Sequence, residues 1–444
     1  MEETWIKELK RTFKEDWIPI LSLAFYDLWL LAFPLQGYFF LEIKKSSAFS
    51  YFIIPHALSF FVITTTAYKM NFEKLSLFFG LITSALTILF VHASPVFQKL
   101  ILFIIGFTSA FLIVRIACGL KRTRDPLLSS AVGLIIGNIL LGFLLYLNIP
   151  KSYFFYILGI LLCIQIWLKL YSSSTNRIGK FFKYLPFVFF FYLLIGNFYV
   201  GLMPLYLKYL YCKGIELGFY ILAIIFSVKL YKKREDLSLS AGIGAGIFAV
   251  AFLHYINRLT INLSMYFVQM AAGFMDVFCF GTFLKEEDPL RSFSLGAGFM
   301  LLGPALGFPV LYYYKWTPLM SIGGNIILGF ALLIFYFSQT KIEKVKKEHV
   351  KESPKEGDSE SDLKMYNIPE DMFSLREKDV LNLLMKGLTI KEISKELNIS
   401  ESTVKTYLHR IYRKLKVSSK AELFNKLSSY KNQKIVKLRI VKKS

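Results

Sequence analysis

The sequence predicts an all-α protein in two parts: a polytopic transmembrane helical bundle of about twelve spans and a smaller C-terminal domain of four helices. Of the 444 residues, 55% are hydrophobic and 19% are charged, yet the formal net charge is +22. Apolar and basic residues must therefore be segregated along the chain. Residues 17–338 form almost continuous apolar runs of about 20 residues, the length that crosses a hydrocarbon core. The last quarter is polar and basic, and its apolar residues recur at helical spacing.

These patterns divide the chain into five segments. We expect an N-terminal cytoplasmic segment at 1–16, a membrane domain at 17–338, a flexible charged linker at 339–371, a helical domain at 372–430 and a basic tail at 431–444. The first apolar run is long and no small-residue cleavage site follows it, so it is predicted to be a retained span and not a signal peptide. The linker is rich in Glu, Lys, Ser and Pro, a composition that cannot bury a core.

The spans are predicted to be helices, because lipid offers no hydrogen-bond partner to an unpaired backbone N–H or C=O. They are expected at 17–40, 48–68, 75–93, 96–119, 127–148, 152–171, 181–206, 212–231, 237–256, 260–284, 291–314 and 318–338.

The orientation of the bundle follows from the lysine and arginine residues of its short loops, which concentrate on the cytoplasmic side. The even-numbered loops are the richer ones, with Lys69, Lys74, Lys121, Arg122, Arg124, Arg177, Lys180, Lys183, Lys232, Lys233, Arg234, Lys285 and Arg291. With an even number of spans, this pattern places both termini in the cytoplasm. We therefore expect a multi-pass protein of the bacterial cytoplasmic (inner) membrane.

A short repeat favours two six-helix halves in the bundle. Asp125 and Pro126 precede the fifth span, as Asp288 and Pro289 precede the eleventh. Aspartate is a good helix N-cap and proline suits the first helical position, so each pair is predicted to start a helix. Twelve spans, cytoplasmic ends and this repeat resemble the major facilitator superfamily of transporters. The loop at 68–74 lacks the superfamily's Gly-x-x-x-Asp-Arg signature, so the resemblance is architectural.

Ionisable and strongly polar residues within the spans are candidates for a ligand site, because a charge in the bilayer interior is costly unless it faces a cavity or a partner. In a major-facilitator-like bundle the first, fourth, seventh and tenth spans line the central cavity. These spans carry Asp27, Arg115, Asn197 and Asp276. The functional interpretation is a small site for a cationic or polar ligand. The structural alternative is that Arg115 extends to the inner surface and that the two aspartates have structural partners.

The sequence shows no pattern for a metal site, a cofactor or a catalytic centre. The four cysteines, Cys118, Cys163, Cys212 and Cys279, have no CxxC or Cys/His spacing and are expected to be reduced thiols. The glycine-rich run at 242–246 follows no predicted strand, so close helix packing is its expected role. We therefore expect no metal, no cofactor and no enzyme activity.

The domain at 372–430 has capping signals at the start of its helices. Ser374 and Glu377 form a capping box, Thr389 and Glu392 form a second, and Ser400 is predicted to cap a third helix. A tight turn is expected just before Ser400, and a fourth helix over 419–427. The residues expected to face the core are Val380, Leu381, Leu383, Leu384, Ile393, Leu397, Val404, Leu408, Ile411 and Leu415.

Helix, helix, tight turn and basic third helix form the arrangement of a helix-turn-helix domain, in which the third helix reads the major groove of DNA. The runs at 374–377, 387–393, 399–405 and 411–415 closely resemble the LuxR-type (NarL/GerE-like) DNA-binding domain. Tyr407 stands where that family usually has His, and Lys416 stands where it usually has Gly.

The resemblance implies roles for the exposed side chains. Base-edge contacts are expected from Lys405, Thr406 and His409, and phosphate contacts from Lys391, Ser402, Thr403, Tyr407, Arg410 and Arg413. The implied partner is double-stranded DNA, on which domains of this family usually act as homodimers. The alternative is a small protein-binding module with a solvated basic face.

Two functions follow from these parts. The first is a membrane-embedded one-component transcriptional regulator: a sensor whose spans, within the lipid bilayer, respond to an unknown small-molecule or membrane signal and whose tail binds promoter DNA. The second is a major-facilitator-like transporter with a DNA-binding regulatory tail. No receiver domain, kinase motif or P-loop is present in the sequence, so nothing in it requires phosphorylation.

Overall fold

A computed structural model describes residues 2–35, 49–66, 70–147, 150–171, 179–314, 323–324, 326–330, 333, 336, 373–385, 388–397, 399–415, 417, 422–423 and 426. All regular secondary structure in these residues is helical, as the sequence predicts. The chain divides into two compact units, Met1–Tyr336 and Phe337–Ser444.

Besides short described helical stretches within 323–336, the described part of the first unit contains twelve α-helices. They are α1 (Glu2–Ala32), α2 (Phe49–Thr66), α3 (Phe72–Leu89), α4 (Pro95–Lys121), α5 (Pro126–Tyr146), α6 (Lys151–Leu162), α7 (Leu185–Phe191), α8 (Asn197–Tyr209), α9 (Ile215–Lys233), α10 (Glu235–Ala251), α11 (Arg258–Lys285) and α12 (Pro289–Tyr314). Short 3₁₀ segments lie at Phe90–His92, Cys163–Trp167, Lys180–Tyr184 and Phe252–His254.

Two predicted helix starts are confirmed by their capping geometry. The side chain of Asp125 accepts a hydrogen bond from the backbone N–H of Leu128, and Pro126 occupies the first turn of α5. The side chain of Asp288 accepts a hydrogen bond at 3.2 Å from the N–H of Arg291 at the start of α12. Each aspartate satisfies one of the donors that a helix N-terminus leaves unpaired.

The segment predicted as the seventh span is interrupted. It consists of the 3₁₀ turn at Lys180–Tyr184, then α7, then a π-helical segment at Tyr192–Gly196, then α8. Apolar periodicity cannot predict this break, because a π-helical turn adds a residue without changing composition. Such insertions often occur at functional sites.

Six helical segments of the first unit are long and apolar enough to cross a membrane, which makes this a multi-pass membrane protein. They are Phe49–Thr66, Phe72–His92, Pro95–Lys121, Pro126–Tyr146, Phe181–Tyr209 and Arg258–Lys285. Other described helices overlap the remaining predicted spans up to 291–314, and the span at 318–338 is described only in part. The total of twelve therefore stays a prediction.

The helices of the first unit pack as two similar halves. In the first half, α1 packs against α5, α2 against α4, and α3 against both α4 and α6. In the second, α9 and α10 both pack against α11, and α12 packs against the π-helical segment and its flanking helices. The halves meet where α2 packs against α12 and α5 packs against α9. This arrangement agrees with the two halves that the repeat predicts, while six spans in each half stay a prediction.

The described part of the second unit contains α13 (Leu375–Met385), α14 (Ile390–Glu396) and α15 (Glu401–Leu415). Their core consists of Phe373, Val380, Leu381, Leu384, Ile393, Val404, Leu408, Ile411, Leu415 and Leu423. These core residues all belong to the second unit, so this unit has a hydrophobic core of its own. Most of the predicted fourth helix, the linker at 339–371 and the tail at 431–444 lie outside the described residues.

Candidate functional site

The helices of the second unit begin and end where their local hydrogen bonds dictate. Thr389 and Glu392 form the predicted capping box of α14. The N–H of Ile399 donates to the carbonyl of Ser394 at 3.0 Å, which ends α14 in a tight turn. The hydroxyl of Ser400 then accepts from the N–H of Thr403 at 3.1 Å and starts α15. These contacts form the predicted helix-turn-helix.

The two faces of α15 have opposite surroundings. Val404, Leu408, Ile411 and Leu415 are buried in the core and form one stripe along the helix, as their spacing predicts. Burial of each side chain contributes on the order of 2 kcal/mol. The stripe therefore fixes the rotation of α15 and determines which residues face solvent.

The residues predicted to contact DNA lie on the surface of this unit. Of the predicted base-edge residues, Lys405, Thr406 and His409 are all exposed. Of the predicted phosphate contacts, Lys391, Ser402, Arg410 and Arg413 are exposed, and Thr403 and Tyr407 are half-buried. The guanidinium carbon of Arg410 lies 5.9 Å from the centroid of the Tyr407 ring, within cation–π range.

An ion pair between the buried Glu377 and the more exposed Lys414 joins α13 to α15. Lys414 donates to Glu377 at 2.6 Å, while Glu377 also accepts from the backbone N–H of Ser374 at 2.8 Å in the predicted capping box. Burial raises the pKa of the Glu377 carboxyl, but the hydrogen bonds from Lys414 and Ser374 outweigh it and leave the pKa below its ordinary value. The sequence indicates the capping box, but the contact with Lys414 depends on the packing of the two helices.

The first unit contains a cavity of about 230 Å³ between its two halves. Its lining comes from both halves, including α1, α2, α9, α11, α12 and the π-helical segment. Most of the lining is apolar or aromatic, and both Asp27 and Asp276 belong to it. Among the residues that the structure describes, no lysine or arginine lines the cavity.

Each cavity aspartate is held by donors from neighbouring helices. The two carboxylate oxygens of Asp276 accept hydrogen bonds from the hydroxyls of Tyr192 and Tyr220. Asp27, on α1, accepts a hydrogen bond at 2.9 Å from the side-chain amide of Asn138 on α5. Sequence reasoning missed these three donors, because a tyrosine or asparagine in an apolar helix carries no signal for its partner.

The other two candidate residues of the membrane domain lie outside the cavity lining. Arg115 is buried and donates to the carbonyl oxygens of Glu73, Gln165 and Leu168, so it joins α4 to its neighbours. Its guanidinium is thus held mainly by backbone carbonyls of neighbouring segments.

Asn197 stabilises the interrupted seventh segment. Its amide donates to the carbonyl of Leu193 at 2.7 Å and to that of Gly303 on α12 at 3.3 Å. The structure therefore brings Asp27 and Asp276 together in one cavity and places Arg115 and Asn197 in helix–helix contacts.

Comparison with known proteins agrees with the helix-turn-helix. Residues 371–427 match the family described as bacterial regulatory proteins, luxR family. Over 59 residues the chain is 48% identical to the nitrate/nitrite response regulator protein NarP of Escherichia coli (strain K12), covering 13% of this chain and 27% of that relative. Over 50 residues it is 48% identical to the response regulator protein TodT of Pseudomonas putida, covering 11% and 22%. The chain thus spans about a quarter of the length of these relatives.

The fold of the chain is similar to that of the human organic anion transporter MFSD10 (TETRAN), with a TM-score of 0.54 and 12% identity. The match covers 74% of this chain and 99% of that structure. It falls mainly on the membrane unit, since the second unit comprises only Phe337–Ser444. At this identity the likeness shows the fold alone. Residues 371–427 are therefore a LuxR-family helix-turn-helix domain, carried on one chain with a multi-pass membrane domain of major-facilitator-like fold.

Proposed function

We propose that this protein is a membrane-embedded one-component transcriptional regulator, in which the membrane domain senses a signal and the LuxR-family domain, residues 371–427, binds promoter DNA. The observation that carries the proposal is the covalent union of these two parts. Because the DNA-binding domain is covalently attached to the membrane domain, a change in the membrane domain reaches it without a separate diffusing protein.

The exposed face of α15 supports DNA as the partner. Lys405, Thr406 and His409 project to solvent from a helix whose other face is buried. Lysine pairs with guanine in the major groove, and hydroxyl and guanidinium groups suit phosphate. From residue 374 to the end, the sequence has about three lysine or arginine residues for each aspartate or glutamate. This excess supplies sequence-independent attraction to DNA.

The cellular arrangement belongs to the same proposal. The loop charges favour a bacterial inner-membrane protein with both termini in the cytoplasm, where the LuxR-family domain meets DNA. Two copies of the domain bound to adjacent half-sites strengthen an interaction that is weak for one copy. A homodimer of the LuxR-family domain is therefore the proposed DNA-bound state.

Genome-wide mapping of the DNA bound by the tagged full-length protein tests this proposal. We expect discrete promoter peaks that disappear when residues 365–444 are deleted. A matched variant, Lys405→Ala, should keep the protein in the membrane and flatten the peaks. An equal genomic profile for the full-length protein and the deletion would refute DNA binding in the cell.

The membrane fold and the cavity favour one second candidate, a transporter whose tail regulates gene expression. Flux measurements in proteoliposomes distinguish it from a sensor. A transporter should move its substrate, and this movement should stop in Asp27→Asn or Asp276→Asn. A sensor should bind its ligand without net movement across the bilayer.

A further inference from the structure

The cavity between the two halves has a charge and a lining that favour one class of ligand. We propose that it binds a small organic cation, whose positive centre lies between Asp27 and Asp276 and whose apolar body contacts the aromatic side chains around them. The inference names the chemical class of the signal and so rests on the proposed sensing function.

The charge of the lining is the first argument. Asp27 and Asp276 contribute two carboxyl groups, and the described lining contains no lysine or arginine to balance them. His56 also lines the cavity, but its Nδ1 lies 2.9 Å from the carbonyl of Gly106, to which it can only donate. Its Nε2 is then free to accept from the hydroxyl of Tyr26 at 3.4 Å. These contacts suit a neutral imidazole, so no basic side chain in the described lining balances the two acids.

Unsatisfied hydrogen-bonding groups are the second argument. Asp27 is only 8% exposed, and one of its carboxylate oxygens accepts from Asn138. The other oxygen has no hydrogen-bond donor among the described residues, although Asp27 lines the cavity. The amide of Gln269 and the hydroxyl of Tyr199 also line it without a partner in the described part of the chain. A bound ligand would supply the missing partners of these cavity-lining groups.

The lining also distinguishes an organic cation from a metal ion. No group of three or more His, Cys, Asp or Glu side chains that could hold a metal occurs in the described residues. A hard cation such as Mg²⁺ or Ca²⁺ takes six or more oxygen ligands, which two carboxylates do not provide. Aromatic rings, by contrast, attract organic cations through their π faces, and Tyr26, Tyr192 and Tyr220 adjoin the acids.

The positions of the two acids give the ligand a means of signalling. Asp27 belongs to α1 in the first half and Asp276 to α11 in the second. A cation that contacts both carboxylates is bound best when the halves bring them together, so it selects one arrangement of the halves over others. The bound state thus differs in helix arrangement and not only in occupancy.

Binding to the full-length protein in lipid nanodiscs tests the proposal. The probe is 3-phenylpropylammonium, whose N–H groups can donate to a carboxylate, and the comparison is 3-phenylpropionate, an anion of similar size with the same ring. Isothermal titration calorimetry should show the cation binding at least about tenfold more tightly than the anion. Asp27→Asn and Asp276→Asn, which keep side-chain volume and remove charge, should each weaken cation binding about tenfold or more.

Asp236→Asn is the matched control. Asp236 has the same 8% exposure as Asp27, but it pairs with Arg234 and does not line the cavity. Its substitution should leave cation binding unchanged. Gel filtration and thermal unfolding without ligand check that each variant is folded. If Asp276→Asn unfolds through loss of its tyrosine hydrogen bonds, Asp27→Asn alone tests whether a carboxylate binds the cation.

Equal binding of cation and anion, unchanged binding in Asp27→Asn, or displacement of the probe by millimolar Mg²⁺ would each overturn the assignment. Its failure is distinguishable from failure of the proposed function. Promoter occupancy without cation binding refutes the ligand class and leaves the regulator. Cation binding without promoter occupancy refutes the regulator and leaves the site.

Discussion

In the proposed regulator, single residues of the LuxR-family domain divide between DNA contact and stability of the fold. Lys405 and Arg413 are exposed on α15, eight positions apart, where no core contact constrains them. Glu377, in contrast, is 3% exposed and satisfies both a helix N-terminus and Lys414. Substitutions at Lys405 and Arg413 should therefore change DNA binding, and substitutions at Glu377 should change stability.

Lys405→Ala should lower the discrimination between operator and random DNA by about 1–3 kcal/mol, because a base-edge contact carries sequence information. Arg413→Ala should weaken binding to all sequences and reduce the dependence of log affinity on log salt by about one. Fluorescence anisotropy of the fragment 365–444 at several salt concentrations measures both. The role assignment fails if the two variants lose affinity equally on operator and random DNA.

Glu377→Gln should destabilise the fragment 365–444 near pH 6 by about 1–2 kcal/mol, since Lys414 loses its charged partner but is partly solvated. The pKa of Glu377 lies below its ordinary value of 4.5 in the folded state. Its stabilisation is thus complete above pH 4.5 and disappears as the pH falls through the lower folded pKa.

Urea unfolding at pH 6 and at lower pH measures this effect. The unsubstituted fragment should lose stability on acidification, and Glu377→Gln should lose less. Asp379→Asn is the control, because the pair of Asp379 with Arg376 is exposed on both sides and spans 3.6 Å. A Glu377→Gln variant with the same acid sensitivity as the unsubstituted fragment would contradict the ion-pair assignment.

At the scale of helices, a close backbone contact determines how α12 packs against the π-helical segment. A Cβ on Gly303 of α12 would lie 2.5 Å from the backbone nitrogen of Leu193 in the π-helical segment. Only glycine allows this approach, which also brings Gly303 within reach of the Asn197 amide. The π-helical segment and α12 thus depend on each other, and the segment carries Tyr192, a donor to Asp276.

Gly303→Ala should lower the thermal unfolding temperature of the full-length protein in detergent, because a backbone atom cannot move aside as a flexible side chain can. Gly244→Ala on α10 is the matched control, since a Cβ there would meet nothing within 4 Å. The control should be neutral or stabilising by up to about 1 kcal/mol, because alanine is the better helix former. Equal unfolding temperatures for the two variants would show that the close contact of Gly303 with Leu193 does not contribute to stability.

Over the whole molecule, two units with separate cores have separate tasks in the proposed regulator. The membrane unit holds two aspartates in a cavity between its halves, and the second unit exposes basic residues of α15 to solvent. This division of tasks requires that the second unit lie on the side of the membrane where DNA is found.

Fusions at Ser444 test this requirement. A fluorescent protein that matures only in the cytoplasm should fluoresce there, and alkaline phosphatase, which is active only outside the cytoplasm, should stay inactive. A fusion of alkaline phosphatase within the loop around Lys151 should be active, because this odd-numbered loop is predicted to face outward. An active phosphatase at Ser444 would rule out the proposed function.

Local rules allowed the sequence to determine the helix starts at Asp125, Asp288 and Thr389, and the buried stripe and exposed face of α15. Capping and periodicity operate within a few residues, so they can be read from neighbouring letters. The tertiary structure alone decided that Asp27 and Asp276 share a cavity, that Arg115 contacts backbone carbonyls, and that the seventh segment contains a π-helical turn. These features join residues far apart in the chain, and their partners are set by how the helices pack and not by any local pattern.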